Sequence, residues 1–167
     1  MKRIKRPVSL ETGEKIHTPL GWSTMEPLLR RHLLTEVRKP GRLAGIATAM
    51  IDVSDGLAGD LRHICEKSGV SVRVRAEKLP VSTNNRALSR AARGDEWHFA
   101  LHGGEDYELL FTAPPGRAAQ LAERVTAETG TPVSVIGEIT AGGEPPELVL
   151  PDGNVLPLEE SGWDHFK

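Results

Sequence analysis

The sequence contains very little cysteine and no long apolar stretch. Cys65 is its only cysteine, so an internal disulfide is excluded and a reducing compartment is favoured. No segment approaches the ~20 consecutive apolar residues of a membrane-spanning helix, and no apolar stretch follows the basic amino terminus, as a secretory signal would require. We therefore expect a soluble, cytoplasmic protein with no membrane partner.

The sequence also lacks a strong excess of either charge and several catalytic motifs. Its 21 Lys and Arg residues against 23 Asp and Glu residues give a net charge of −2, which is not typical of a nucleic-acid-binding protein. The absence of a Gly-x-x-x-x-Gly-Lys-Ser/Thr loop excludes a phosphate-loop kinase, and no Gly-x-Ser-x-Gly elbow supports a hydrolase. His98 and His102 are four residues apart, but no third ligand stands at a spacing that would favour zinc.

The sequence does contain an alternation of helix-like and strand-like segments. Residues 1–22 are poor in apolar residues and are predicted to form an extended lead-in to one domain over 23–167. Helical spacing of apolar residues and stop signals predict helices over 23–39, 57–68, 84–93, 95–102 and 116–129. Strands are predicted over 47–53, 70–75, 107–112 and 133–137, followed by a hairpin over 148–156. This order predicts an α/β (α+β layered) fold with a mixed sheet flanked by helices.

The segment Ile51-Asp52-Val53-Ser54-Asp55-Gly56-Leu57 places two carboxylates and a hydroxyl between a strand and a helix. Ligands often bind at the carboxyl ends of strands in open α/β sheets, and a helix amino terminus favours phosphate. Asp52 and Asp55 could hold Mg²⁺, which prefers carboxylates, water and phosphate oxygens. The alternative is structural: Asp-Gly forms a turn, Ser54 or Asp55 caps the helix, and Asp52 is an exposed strand end.

A second segment, His102-Gly103-Gly104-Glu105-Asp106-Tyr107-Glu108, has three acidic residues directly after two glycines. Glycine allows a ligand to approach the backbone closely, and the carboxylates could bind a metal or a positively charged substrate. The alternative is a surface turn whose charges precede an apolar strand. Near the carboxyl end, Trp163 either pins a polar tail to the domain or stacks on a ligand ring.

In their order and spacing, three segments resemble thiamine-monophosphate kinases: Ile51-Asp-Val-Ser-Asp-Gly-Leu57, Gly103-Gly-Glu-Asp-Tyr-Glu-Leu109 and Gly162-Trp-Asp-His-Phe166. Supporting matches occur at Arg30-Arg31-His32-Leu33 and at Val135-Ile136-Gly137-Glu138-Ile139-Thr140, so the resemblance extends over residues 25–166. Each motif is weak alone, but the ordered set is specific.

The resemblance implies the carboxy-terminal domain of the aminoimidazole ribonucleotide synthetase-like architecture. It also implies phosphorylation of thiamine monophosphate to thiamine diphosphate with ATP and Mg²⁺. By matching position, Asp52 and Asp55 would bind Mg²⁺ and Ser54 would contact ATP. Glu105 would contact the thiamine moiety, and Trp163 would stack on one of its rings. The reaction would proceed by positioning, with no covalent intermediate and no nucleophile assigned in this chain.

The sequence departs from the family pattern mainly at its amino terminus. In this family the amino-terminal domain carries further metal-binding aspartates and pairs to form a dimer, and residues 1–22 cannot supply either function. We therefore expect the chain to be inactive or a weak binder unless that domain or a partner chain is present; a homodimer is also compatible with the family. His102 stands where a small residue is expected, and Trp163 where Tyr is also common. The alternatives are a non-catalytic ligand-binding or self-associating remnant, or a related enzyme acting on a purine precursor.

Overall fold

The computed structural model describes residues 8–9, 15–16, 20–33, 43, 45–93 and 95–158. The helices are α1 (Trp22–Leu33), α2 (Leu57–Ser68), α3 (Thr83–Arg93), α4 (His98–His102) and α5 (Ala118–Thr129), and a one-turn 3-10 helix covers Ala76–Lys78. The strands are β1 (Val8–Ser9), β2 (Lys15–Ile16), β3 (Ala49–Asp52), β4 (Val70–Arg75), β5 (Leu109–Thr112), β6 (Gly137–Ala141), β7 (Glu147–Val149) and β8 (Val155–Pro157).

The strands of the described residues form three sheets. β1 pairs with β2, and β3 pairs antiparallel with β5. The largest sheet has the order β6-β4-β7-β8, in which β4 and β7 run parallel and the other two pairs run antiparallel. This arrangement confirms the predicted α/β fold with a mixed sheet and flanking helices.

Helix α2 packs through its apolar face on both the β3–β5 pair and the four-stranded sheet. Leu57, Leu61 and Ile64 are buried on this face. They belong to one core cluster that also contains Val74 of β4 and Leu110 of β5. Burial of apolar side chains is the main favourable contribution to folding, so α2 fixes the position of β3 and β5 relative to the mixed sheet. A smaller cluster packs under α5.

The strand predicted over 133–137 is wrong: β6 begins at Gly137 and extends to Ala141. The apolar residues before it belong to a loop that contacts both core clusters, since Val133 packs on the smaller cluster and Ile136 on the larger one. At Gly137, where the strand begins, the chain lies so close to β4 that a Cβ would be 2.2 Å from the carbonyl oxygen of Arg73. The apolar pattern therefore marked two half-buried residues that pack on the core, but it did not predict strand geometry, and Val135 is exposed.

Several predicted boundaries shift. Residues 34–39 of the predicted first helix lie outside the described residues, as does most of the lead-in over 1–22. The helix predicted from residue 95 begins at His98, because the carboxylate of Asp95 accepts hydrogen bonds from the backbone N–H groups of Trp97 and His98 at 2.8 and 2.6 Å. Among the described residues, no helix has the length and apolar character that crossing a membrane requires.

Cys65 is buried on the apolar face of α2, as the helical spacing predicted, and burial raises the pKa of its thiol. We expect iodoacetamide at pH 8 to label the folded chain at least about tenfold more slowly than the chain unfolded in urea, because the thiolate is the reactive species. Mass spectrometry of timed aliquots measures both rates. Equal rates would show that the thiol is accessible in the native state.

Candidate functional site

The two sequence motifs meet at one end of the β3–β5 pair. Asp52, the last residue of β3, pairs with Leu109, the first residue of β5. Antiparallel hydrogen bonding continues beyond the strands: the N–H of Val53 donates to the carbonyl of Glu108 at 2.9 Å, and the N–H of Tyr107 donates to the carbonyl of Val53 at 2.8 Å. Residues 52–56 and 103–108, which we call the acidic site, are therefore held against each other by backbone bonds.

Glycines allow the two segments to approach so closely. A Cβ on Gly104 would lie 2.5 Å from the carbonyl oxygen of Ser54, which real Cβ atoms do not tolerate. The same Ser54 carbonyl accepts a hydrogen bond from the N–H of Glu105 at 2.8 Å. Gly56 is buried, has φ of 101°, and packs on the backbone of Leu101. A side chain at Gly104 would therefore separate the two halves of the acidic site.

The backbone of the second segment is strained where its side chains face solvent. Glu105 and Tyr107 have φ of 66° and 50°, which is uncommon for residues other than glycine. Both residues are exposed. Such conformations cost about 1–3 kcal/mol each and persist mainly where the surrounding structure enforces them, often at functional sites. Tyr107 was predicted to begin a strand, but this conformation delays β5 until Leu109.

The buried carboxylate of Asp60 holds the first segment in place. Asp60 is 1% exposed, and its Oδ2 accepts hydrogen bonds from the backbone N–H groups of Ser54 at 2.9 Å and Asp55 at 3.2 Å. Burial raises the pKa of the Asp60 carboxyl, although these two bonds favour its ionised form. Sequence reasoning missed this residue. The available signal was a carboxylate on the apolar face of α2, three residues after Leu57 and four before Ile64.

The structural alternative for the first segment is correct in that Asp52 is exposed at the end of β3, but its prediction that Ser54 or Asp55 caps the helix is wrong. The residue before α2 is Gly56, and no side chain caps the helix. The side chains of Ser54 and Asp55 are therefore not used as the helix cap. Asp55 is exposed and Ser54 is half-buried. Both lie directly before the amino end of a 12-residue helix, where the helix dipole favours negatively charged ligands.

The structure brings together four of the five predicted site residues. Asp52, Ser54, Asp55 and Glu105 all belong to the acidic site, and the carboxylates of Asp52, Asp55 and Glu105 are on exposed residues. Trp163 lies outside the described residues. The proximity of these four residues comes from the pairing of β3 with β5, and their roles remain predictions.

The carboxylates suit a magnesium ion only in part. Ligand atoms of Asp55, Asp60 and His63 lie within 4.8 Å of one another, and this is the one such group of three among the described residues. Mg²⁺ prefers oxygen ligands and keeps several waters or phosphate oxygens, so an exposed carboxylate such as Asp55 fits it and an imidazole does not. Asp52 is exposed at the end of β3 but is not a member of the group.

A separate open cleft lies at the other end of α2. Its walls come from the end of α2, the start of β4 and the β6–β7 turn: Arg62, Cys65, Glu66, Gly69, Val70, Gly142, Gly143, Pro146 and Leu158. None of the four predicted site residues that the structure describes lines it. The acidic site is the better candidate because it is where charged groups, strained backbone and close glycine packing coincide.

Comparison with known proteins agrees with the fold and identifies the family. Residues 7–146 match the family model described as AIR synthase related protein, C-terminal domain. The thiamine-monophosphate kinase of Haemophilus influenzae is 40% identical over 144 residues, which are 84% of this chain and 43% of that kinase.

Solved structures give the same result. The thiamine-monophosphate kinase from Stenotrophomonas maltophilia K279a has a TM-score of 0.67 and 34% identity, covering 86% of this chain and 44% of that one. AaThiL complexed with AMPPCP and TMP has a TM-score of 0.67 and 30% identity, covering 89% and 44%. The chain thus spans less than half the length of the relatives it matches. It belongs to the AIR synthase related family through the carboxy-terminal domain, and there it resembles the thiamine-monophosphate kinases.

Proposed function

We propose that this domain is the carboxy-terminal part of an enzyme that transfers a phosphoryl group from ATP to thiamine monophosphate. The observation that carries the proposal is the hydrogen bond from the Glu105 N–H to the Ser54 carbonyl, which joins the two motifs into one site. The names of the relatives support this reaction. The AaThiL complex supports it further, because AMPPCP is an analogue of ATP and TMP abbreviates thiamine monophosphate.

In this proposal the residues of the acidic site bind and orient the two substrates. Asp55 and Asp52 bind Mg²⁺, which when bound neutralises phosphate charge, and Ser54 contacts ATP. Glu105, an exposed residue with a strained φ of 66°, binds the thiamine moiety. Trp163 stacks on a thiamine ring. Catalysis then comes from holding the acceptor phosphate in line with the γ-phosphate, without a protein nucleophile.

The proposal assigns the rest of the site to a part of the protein that the relatives have and this chain does not span. The chain corresponds to 43% of the Haemophilus influenzae kinase. Two exposed aspartates, Asp52 and Asp55, are few ligands for the metal ions and nucleotide of a kinase. We propose that the amino-terminal half, on the same or a partner chain, supplies the remaining ligands and the dimer contacts.

A phosphotransfer assay tests this function. The purified chain is incubated with ATP, Mg²⁺ and thiamine monophosphate, with and without the separately expressed amino-terminal half of the Haemophilus influenzae kinase, and thiamine diphosphate is measured by chromatography. We expect no product above background from the chain alone and product when both halves are present. Each half alone is the control.

Turnover by the chain alone would contradict the assignment of the missing ligands to an amino-terminal half. Should the mixture give no product, thermal unfolding of the chain decides the substrate. Thiamine monophosphate should raise the melting temperature, whereas an aminoimidazole ribonucleotide should not. The reverse preference would contradict the proposed substrate and favour an enzyme of purine precursors.

A further inference from the structure

Burial of the Asp60 carboxylate costs free energy, and its hydrogen bonds to the acidic site explain why a carboxylate is present there. A carboxylate on the apolar face of α2 is 1% exposed, where burial disfavours its charge. An apolar residue at this position would pack in the same core without that cost. What the carboxylate provides is one oxygen, Oδ2, that accepts the successive N–H groups of Ser54 and Asp55. No side chain caps α2, so helix capping does not explain the residue.

Two consecutive N–H groups directed at one inward-facing oxygen fix the orientation of the turn. With both amides directed inward, the side chain of Asp55 is left exposed and that of Ser54 half-buried. On the opposite side, the Ser54 carbonyl is held by the N–H of Glu105. The Ser54–Asp55 turn is therefore held from the helix by Asp60 and from the second motif by Glu105.

We infer that Asp60 is a positioning residue of the acidic site, whose buried carboxylate orients the Ser54–Asp55 turn so that the Asp55 carboxylate can bind a divalent cation. This inference rests on the proposed function, in which Asp55 binds Mg²⁺. Asp60 itself does not need to touch the cation or a substrate. Its role is exerted through the backbone of the two residues that do.

The test uses the ¹⁵N-labelled chain and Mn²⁺ as a paramagnetic substitute for Mg²⁺. Amide hydrogen exchange is measured at Ser54 and Asp55. Arg75 is the internal reference, because this last residue of β4 donates its N–H to the Ile136 carbonyl, directly before β6. Line broadening by Mn²⁺ is then titrated at the same two amides after the unlabelled amino-terminal half of the Haemophilus influenzae kinase is added, because that half is proposed to supply the remaining metal ligands. The variants are Asp60→Ala, Asp60→Asn and Asp60→Leu. Glu66→Gln is the matched control, because Glu66 is an exposed acid on the same helix that pairs with Arg62.

We expect Asp60→Ala to accelerate exchange at Ser54 and Asp55 by about tenfold or more relative to Arg75, and to raise the Mn²⁺ concentration for half-broadening by a similar factor. Asp60→Asn should keep the exchange rates and the Mn²⁺ concentration for half-broadening close to those of the wild type, because a single amide oxygen can accept the same two hydrogen bonds. Asp60→Leu fills the buried position with an apolar side chain. It therefore tests loss of the hydrogen-bond acceptor if the alanine variant does not fold. Glu66→Gln should behave as the wild type.

If Asp60→Ala and Asp60→Leu leave exchange at Ser54 and Asp55 unchanged relative to Arg75, the inference is wrong whatever the site binds. A uniform acceleration that includes Arg75 would also overturn it, since that is loss of global stability. If the exchange result holds but Mn²⁺ broadens neither amide in the wild type, the proposed metal role of Asp55 fails. Asp60 would then be a structural residue only, so the two failures are distinguishable.

Discussion

Gly104→Ala is expected to lower the free energy of unfolding by about 2–3 kcal/mol, the range of a severe overpacking substitution. The added Cβ would lie 2.5 Å from the Ser54 carbonyl oxygen, a backbone atom that cannot rotate away as a side chain could. Relief requires the two segments to separate, which breaks the hydrogen bond from the Glu105 N–H to that carbonyl. Urea unfolding followed by circular dichroism measures the change.

Gly59→Ala is the matched control for this substitution. Gly59 lies in α2, where the nearest contact of an added Cβ is the Asp55 Cβ at an ordinary 3.8 Å. Because alanine is favoured over glycine inside helices, we expect this variant to be more stable by about 0.5–1 kcal/mol. Equal stability of Gly104→Ala and wild type would mean that the acidic site is not closed by direct backbone contact.

The fold was largely predictable from the sequence where local pattern and tertiary packing agree. The apolar face of α2 and the alternation in β4 give clear helical and strand periods, and both elements form where predicted. The register of β6 was not predictable. It depends on where Gly137 can approach the Arg73 carbonyl, a contact across 64 residues of chain. The parallel pairing of β4 with β7 is likewise a long-range contact without a local signal.

The sequence was sufficient to propose candidate residues of the acidic site, but it did not predict how they are arranged in space. Asp52, Ser54, Asp55 and Glu105 stand out because carboxylates, hydroxyls and glycines cluster at the ends of apolar runs. Their proximity depends on β3 pairing with β5. Asp60 was missed because the role of a buried carboxylate depends on its hydrogen-bond partners. These partners are backbone N–H groups of the preceding turn, which carry no side-chain signal in the sequence. The positive φ of Glu105 also follows from this packing, since its own sequence favours no such conformation.

In the complemented enzyme, which is this chain mixed with the amino-terminal half of the kinase, Asp55→Asn should reduce kcat/KM by about 10²-fold or more. A loss of this size is typical when one preorganised charged group is removed. The change is nearly isosteric and the side chain is exposed, so the free energy of unfolding should stay within about 0.5 kcal/mol of wild type. An amide is a weaker ligand for Mg²⁺ than a carboxylate, so higher Mg²⁺ should restore part of the rate. The measurement is the initial rate of thiamine diphosphate formation across a range of Mg²⁺ concentrations.

Asp152→Asn provides the comparison, because Asp152 is also exposed but lies in the β7–β8 turn, where its Oδ1 accepts the Asn154 N–H. An asparagine oxygen can accept that bond, so this variant should keep the wild-type rate and the wild-type dependence on Mg²⁺. If Asp55→Asn retained kcat/KM within about threefold of wild type, the loss of a preorganised charge would be too small for a metal ligand. A large loss that Mg²⁺ cannot reduce would instead assign Asp55 a direct contact with substrate, because only weakened metal binding responds to metal concentration.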